Sequence, residues 1–331
     1  MGKLHFALVG AGGFGAGHLR VLRGHPKVSL QVVCDADPSI TGPLAAEGVQ
    51  VTDDFRQALS RDDLDAAVIV LPHYLYPEAV CMALKHGIHV LKEKPFARCL
   101  ADARTMLECA QSAGRVLMVA GQGKYSPGFQ YAKPMVDSGL LGDIFLSRGI
   151  ITYRWAGAFE NNWRWRGINA KSGGVAVIDS GWHILDLMHW FNGLPERVFC
   201  SLGQGNALPG DYDVDDRACM VFDYPDGSVG NVICSFICQP SNRQVLLHGT
   251  RATLDITSLK VALHEGESQD AQITTFSADA GGLEPQFEHF LGLIESGADP
   301  TAGAMEAYQV QRIIDAAYRS AAAGTPVSLD Q

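Results

Sequence analysis

One stretch near the start of the chain constrains the fold more than any other, LHFALVGAGGFGAGHLRVLRGHP from Leu4. An apolar strand runs into Gly10, Gly12 and Gly15 in GxGxxG spacing, a helical pattern follows to about Gly24, and a second strand, VSLQVVCD, stops at Asp35. GxGxxG alone is a weak signal, but set between a strand and a helix, with an acid about 20 residues further on, it fits a dinucleotide-binding turn. Gly10 permits the tight turn, Gly12 lets backbone amides approach a pyrophosphate, and Gly15 lets the helix pack on the strand with its N-terminus toward the phosphates. Ala11, Gly13 and Phe14 complete the loop. Asp35, followed by Ala36, would accept hydrogen bonds from the adenosine ribose. Asp37 adds a second carboxylate, and no Arg, Lys or Ser follows until Ser39, so NAD is expected over NADP.

Strands and helices then alternate. DAAVIVLP, IHVLKEK and RVLMVAG read as buried strands, and PEAVCMALKHG and LADARTMLECAQSAG as helices. This order implies a doubly wound parallel sheet of the Rossmann kind, whose ligands bind outside the carboxyl ends of the strands. Leu71, Pro72, His73 and Tyr76 after one strand, and Glu93, Lys94 and Pro95 after the next, therefore stand at the expected ligand edge. Beyond about Gly121 the texture changes to consecutive strand-like stretches with PDG and GTRA turns. The expected architecture is α/β: a dinucleotide-binding domain over residues 1–121, then an α/β domain over 122–331 with a large, mostly antiparallel open sheet, its C-terminal helix packing back on the first domain. One helix, GGVAVIDSGWHILDLMHWFNG, interrupts that sheet from Gly173 to Gly193.

Composition excludes other classes. With 26 Lys plus Arg against 36 Asp plus Glu the formal charge is −10, and no basic block occurs, so nucleic acid is not an expected partner. The longest apolar run, AAVIVLP, is far short of a membrane span, and the N-terminus enters a strand directly, so a cytoplasmic protein is expected. Eight cysteines without a CxxC pair indicate neither a zinc site nor a disulfide framework.

On the interrupting helix Asp179, His183 and Asp186 follow i, i+4, i+7 spacing, one polar stripe on an otherwise apolar helix. A buried stripe of this kind needs partners or a cavity. A satisfied structural Asp/His pair explains it as readily as a reacting site; a metal site lacks an evident further ligand.

GAGGFG with Asp35, HVLKEKP, and GGVAVIDSGWHILD together resemble the Gfo/Idh/MocA oxidoreductases. The family signature is E-K-P followed by G-G-x-x-x-x-D-x-G-x-H-x-x-D, onto which Gly173, Gly174, Asp179, Gly181, His183 and Asp186 fall. The resemblance implies oxidation of a secondary alcohol on a sugar or cyclitol, or reduction of the ketone, with Lys94 as the family lysine, His183 as the acid/base and Asp179 as its neighbour. It implies a Lys94-Pro95 peptide that is often cis, Glu93 holding the nicotinamide ribose or Lys94, and homodimers or homotetramers through the second sheet. Gln122 joins the expected cofactor contacts. Lys124, Tyr153 and the loop NNWRWRGINAKSGG are the expected substrate contacts; Trp165 and Arg166 match a family W-R pair, but Trp163 and Arg164 repeat it two residues earlier, and both registers stay open. Two other activities fit the same resemblance: an NAD-dependent glycoside hydrolase acting through transient sugar oxidation, and a non-catalytic sugar-sensing regulator. The latter tend to lose the lysine or the histidine, and this chain has both.

Overall fold

The structure, a computed structural model, describes residues 2–155, 157, 161–205, 211–266, 270–277 and 282–329, the side chains of 161–163 excepted. Two compact units emerge, Met1–Ala120 with Leu283–Tyr308, and Gly121–Gly282 with Gln309–Gln331.

In the first unit the strands β1 (Leu4–Val9), β2 (Val28–Cys34), β3 (Val51–Thr52), β4 (Ala66–Ile69), β5 (His89–Lys92) and β6 (Leu117–Val119) form one sheet in the order β3-β2-β1-β4-β5-β6. Every neighbouring pair is parallel, as helical crossovers require. The helices are α1 (Gly15–Gly24), α2 (Pro38–Ala46), α3 (Phe55–Leu59), α4 (Tyr76–Lys85) and α5 (Leu100–Ala113). Local chemistry sets their ends: Asp37 caps α2 by accepting from the Ser39 amide, with Pro38 at the first helical position, and Gly114 closes α5 in the left-handed conformation. The order reverses between β1 and β4, and the crevice at such a switch point is where open α/β sheets bind ligands.

One expectation fails in this unit. Cys81 on α4 and Cys109 on α5 form a disulfide, with Cα atoms 5.5 Å apart. The two residues are 28 positions apart, and only the packing of two neighbouring helices brings them together, so no local cysteine motif announces the bond.

The second unit holds β7 (Ile144–Arg154), β8 (Arg197–Gly203), β9 (Arg217–Asp223), β10 (Val229–Ser235), β11 (Ile237–Gly249), β12 (Ala252–Ile256), β13 (Lys260–Glu265), β14 (Gln272–Thr275) and β15 (Val327–Ser328). They form one sheet in the order β14-β13-β12-β11-β7-β10-β9-β8-β15, antiparallel throughout except for the β7–β10 pair. Helices α6 (Pro127–Asp137), α7 (Asn169–Ser172) and α8 (Trp182–Asn192) belong here. α8 crosses β7 closely: a Cβ at Gly149 would meet Ile184 at 2.8 Å and Met188 at 3.0 Å. The expected single helix from Gly173 to Gly193 is instead a π-helical turn, Ala176–Ser180, followed by α8. The Ser180 and Gly181 amides reach back five residues, to the Val175 and Ala176 carbonyls. Such π turns recur at functional sites.

Two helices, α9 (Leu283–Glu295) and α10 (Ala302–Ala323), lie between β14 and β15. α9 packs on β1 of the first unit, where Phe6 lies 5.4 Å from Phe287 and 6.4 Å from Phe290 between ring centroids. Among the described residues no helix is long and apolar enough to cross a membrane, and no group of His, Cys, Asp and Glu is arranged to hold a metal ion.

Candidate active site

The glycine loop after β1 is shaped by contacts that only glycine tolerates. Gly10 has φ +87°, and a Cβ there would run into the Val70 carbonyl; one at Gly15 would strike the Gly10 carbonyl, so α1 could not begin where it does. Asp35 anchors the loop from β2. Its Oδ2 accepts from the Ala11 amide at 2.8 Å and the Gly12 amide at 3.0 Å, and its Oδ1 from the Asp37 amide at 3.0 Å. Among the described residues the amides of Gly13 and Phe14 donate to no group of the chain, and both residues are exposed at the N-terminus of α1. Two open amides at a helix start fit a nucleotide pyrophosphate. Ala36 is exposed, and the Ser39 hydroxyl is taken by Asp37 at 2.6 Å.

Leu71 and Pro72 follow β4 in half-buried positions, whereas His73 and Tyr76 are buried and stacked, their rings 6.2 Å apart. Lys92, the last residue of β5, lies over the Tyr76 ring at 3.6 Å. No motif marks this residue in the sequence. It is fully buried, and its ammonium donates to the carbonyls of Glu93 at 2.6 Å, Pro95 at 2.5 Å and Phe96 at 2.9 Å. Three donors meet three acceptors. Burial pushes the Lys92 pKa well below the usual lysine range, with Glu93 opposing and Lys94 reinforcing; the carbonyls and the ring face favour the charged form. The signal available was a lysine at a core position of a short apolar strand.

Glu93 is buried, pairs with His18 of α1 at 2.9 Å and accepts from the Lys94 amide at 3.1 Å. The Lys94-Pro95 peptide is cis, and Lys94 itself is half-buried. His18 of α1 is therefore the side-chain partner of Glu93.

In the second unit Gln122 opens the short helical turn Gln122–Tyr125, and its Oε1 is buried without a hydrogen-bond partner among the described residues. Lys124 pairs with Asp186 of α8 at 2.9 Å, both nearly buried. The Arg166 Nε donates to Asp179 at 2.8 Å, and the guanidinium lies 4.4 Å from the Trp165 ring centre and 5.2 Å from that of Trp155. Of the two W-R registers, this is the one that meets Asp179. Arg164 is exposed, and the Trp163 side chain lies outside the described residues. Tyr153 exchanges a hydrogen bond with Ser180 at 2.7 Å; burial and then the Asp179 carboxylate push its phenol up to about 12. His183 stands half-buried on the first turn of α8. The expected single polar stripe is thus divided between partners: Asp179 pairs with Arg166 and Asp186 with Lys124, and the π turn that carries Asp179 is a separate element from α8, which carries His183.

Asp215 holds that π turn, and no motif marks it in the sequence either. It lies just before β9 and accepts from the Val175 amide at 3.0 Å, the Val177 amide at 2.8 Å and the Tyr318 hydroxyl at 3.1 Å. Burial raises its pKa against these hydrogen bonds. A Cβ at Gly174 would lie 2.6 Å from Asp215, which accounts for the second glycine of the pair.

Family models agree with this architecture. Residues 4–121 match the NAD-binding Rossmann fold of an oxidoreductase family, and residues 133–329 match the C-terminal alpha/beta domain of the same family. The chain belongs to the Gfo/Idh/MocA oxidoreductases. A 2,7-anhydro-N-acetylneuraminate hydratase of Mediterraneibacter gnavus is 26% identical to this family member over 296 residues, covering 82% of this chain and 75% of its own. A D-glucoside 3-dehydrogenase of Escherichia coli is 26% identical, covering 91% and 90%. Among solved structures, a levoglucosan dehydrogenase in complex with NADH and levoglucosan superimposes with a TM-score of 0.90 at 22% identity, covering 99% of this chain and 100% of that one, which shows the shared fold. As a Gfo/Idh/MocA member the chain is an oxidoreductase with an NAD-binding domain.

Proposed function

We propose that this protein is an NAD-dependent dehydrogenase that moves hydride between a secondary alcohol of a sugar or cyclitol and nicotinamide, residues 1–121 serving the nucleotide and 122–331 the substrate. The observation that carries the reading is His183 on the first turn of α8, close in sequence behind buried Asp179 and its Arg166 partner. An imidazole so mounted suits the transfer of a hydroxyl proton.

Bound NAD would supply the hydride acceptor. His183 takes the hydroxyl proton while the carbon's hydrogen departs as hydride, leaving a ketone. The Lys94 ammonium stabilises negative charge developing on that oxygen. Asp179, fixed by Arg166, contacts the substrate beside the base. Gly13 and Phe14 donate amides to the pyrophosphate, Gln122 accepts from the cofactor, and Asp35 receives the ribose while steadying the loop. NAD is preferred over NADP because a 2′-phosphate would meet Asp35 and Asp37, with Ser39 already engaged. The outer face of the second sheet exposes Phe199, Val221, Val229 and Ile233, which supports a homodimer or homotetramer through that face, readable by light scattering.

A second reading has one observation behind it, the relative named as a hydratase. There the sugar would be oxidised transiently, altered and reduced again, with no net change in NAD. One experiment separates the two: purified protein with NAD or NADP and a panel of pyranoses, inositols and glycosides, following NADH and sugar products together. NADH accumulating with a ketone supports the dehydrogenase; altered sugar without NADH supports the second reading; equal rates with NADP overturn the role of Asp35.

A further inference from the structure

Arg243 lies on β11 opposite Ile151 of β7, in antiparallel register. Side chains directly opposite share a face, and so do residues two apart. Arg243 therefore continues the inner row formed by Val245 and Leu247, both fully buried, and stands diagonal to Tyr153. This is the face on which α8 packs, as Gly149 in the same row shows. An apolar strand face has placed a guanidinium where a third core residue is due.

Its neighbours are charged groups of the candidate site. Tyr153 is influenced by Asp179, Arg166 and Arg243 together, and Tyr153 in turn favours the charged form of Arg243 against burial. The other cations there are matched: Arg166 by Asp179, Lys124 by Asp186. Among the described residues no carboxylate or carbonyl receives a hydrogen bond from Arg243, although it is half-buried. Five donors in a planar fork, set without a partner in a partly desolvated place, suit a planar anion bound in bidentate fashion. The chain as a whole carries −10, so long-range attraction does not draw anions here and the recognition is local.

We propose that Arg243 is a specificity-determining residue that selects substrates bearing a carboxylate, so that the preferred sugar is a uronate-like acid and not its neutral counterpart. A single unmatched positive charge fits a monoanionic carboxylate better than a doubly charged phosphate ester. The proposal rests on the dehydrogenase reading for its substrate, and the test keeps the two apart.

The probes are matched methyl glycosides of gluco, galacto and manno configuration, each as the neutral pyranoside, the uronate and the 6-phosphate. Two measurements are made on wild type, Arg243→Gln and Arg243→Lys: kcat/KM with saturating NAD, and calorimetric binding to the NADH-loaded protein. In at least one configuration the uronate should exceed the neutral sugar by about tenfold to a hundredfold, the span of a hydrogen bond to a charged group. Arg243→Gln should collapse that ratio toward one, and Arg243→Lys should keep part of it. A packing role would lower both members of a pair alike and leave the ratio unmoved, which overturns the proposal, as does a wild-type preference for neutral sugars or for the 6-phosphates. If no sugar reduces NAD yet uronate binding still depends on Arg243, the dehydrogenase reading falls and the anion site stands; if neutral sugars turn over without such dependence, the reverse holds.

Discussion

In the first unit the buried Lys92 ammonium is satisfied by carbonyls one, three and four residues further along its own chain, and the Asp35 carboxylate by three backbone amides. In the second unit two charged pairs of the candidate site are matched side chain to side chain, Arg166 with Asp179 and Lys124 with Asp186, while Asp215 there keeps backbone partners, the Val175 and Val177 amides, and Glu93 of the first unit has a side-chain one, His18. Both arrangements answer the desolvation of charge, but they differ in what they hold. Backbone partners make a charge part of the local fold, so that removing it leaves carbonyls exposed to an apolar interior. Side-chain partners leave the backbone independent of the charge, so that the same surroundings can present different polar groups to a ligand. Changes at the first kind of site should register in stability and cofactor affinity, and changes at the second in turnover and selectivity.

The sharpest test of that contrast carries the largest expected effect. His183→Ala should lower kcat by about a hundredfold to ten-thousandfold, the usual contribution of a general acid/base, while melting temperature and the Kd for NAD stay near wild type. Steady-state kinetics beside calorimetric titration with NAD read both quantities. A variant that bound NAD much more weakly would mean that His183 itself governs cofactor binding, and the contrast would fail.

Lys92→Met comes next and belongs to the other side. The stem remains, but the carbonyls of Glu93, Pro95 and Phe96 lose their donor; leaving buried acceptors unmet, offset by no longer burying a charge, should cost about 3 kcal/mol. Denaturant unfolding measures that loss, and the Kd for NAD should rise because the turn after β5 is no longer fixed. Unchanged stability would show that the three carbonyls find other donors.

The same contrast explains what the sequence made legible. Gly10, Gly12, Gly15 and Asp35 are set by spacing along one strand–turn–helix unit, and the Rossmann order follows from strands and helices in alternation; these were readable because their causes are local. The π turn, the Asp215 cap and the Arg243 position are decided by strand register and by contacts between distant segments. Asp215 reaches the Val175 amide across 40 residues and Tyr318 across 103. The Trp-Arg register could not be chosen from NNWRWRG because both pairs have the same composition; the contact of Arg166 with Asp179 separates them. The Cys81–Cys109 bond was invisible for the same reason, being a product of α4 lying beside α5.

The smallest predicted effect concerns a residue of the first unit whose partner is again backbone. His89 on β5 accepts from the Val116 amide through Nδ1, at 3.0 Å. That hydrogen bond requires an unprotonated Nδ1, and protonation would set two donors against each other. Burial, reinforced by Arg115 and opposed by Asp65, lowers its pKa from 6.5 to about 4. Between those values the unfolded chain binds the proton and the folded chain does not, so stability rises with pH across the window. The contribution is complete above about pH 6.5 and is lost as pH falls toward about 4; it amounts to about 2 kcal/mol once partial exposure is allowed for. His89→Asn supplies an acceptor oxygen that does not titrate in this range. Denaturant unfolding of both proteins at about pH 7 and about pH 5 should show the wild type losing more stability than the variant on acidification, by about 1 kcal/mol. Equal losses would mean that protonated His89 keeps its place by another contact, and that backbone partners in this unit are less exacting than Lys92 and Asp35 indicate.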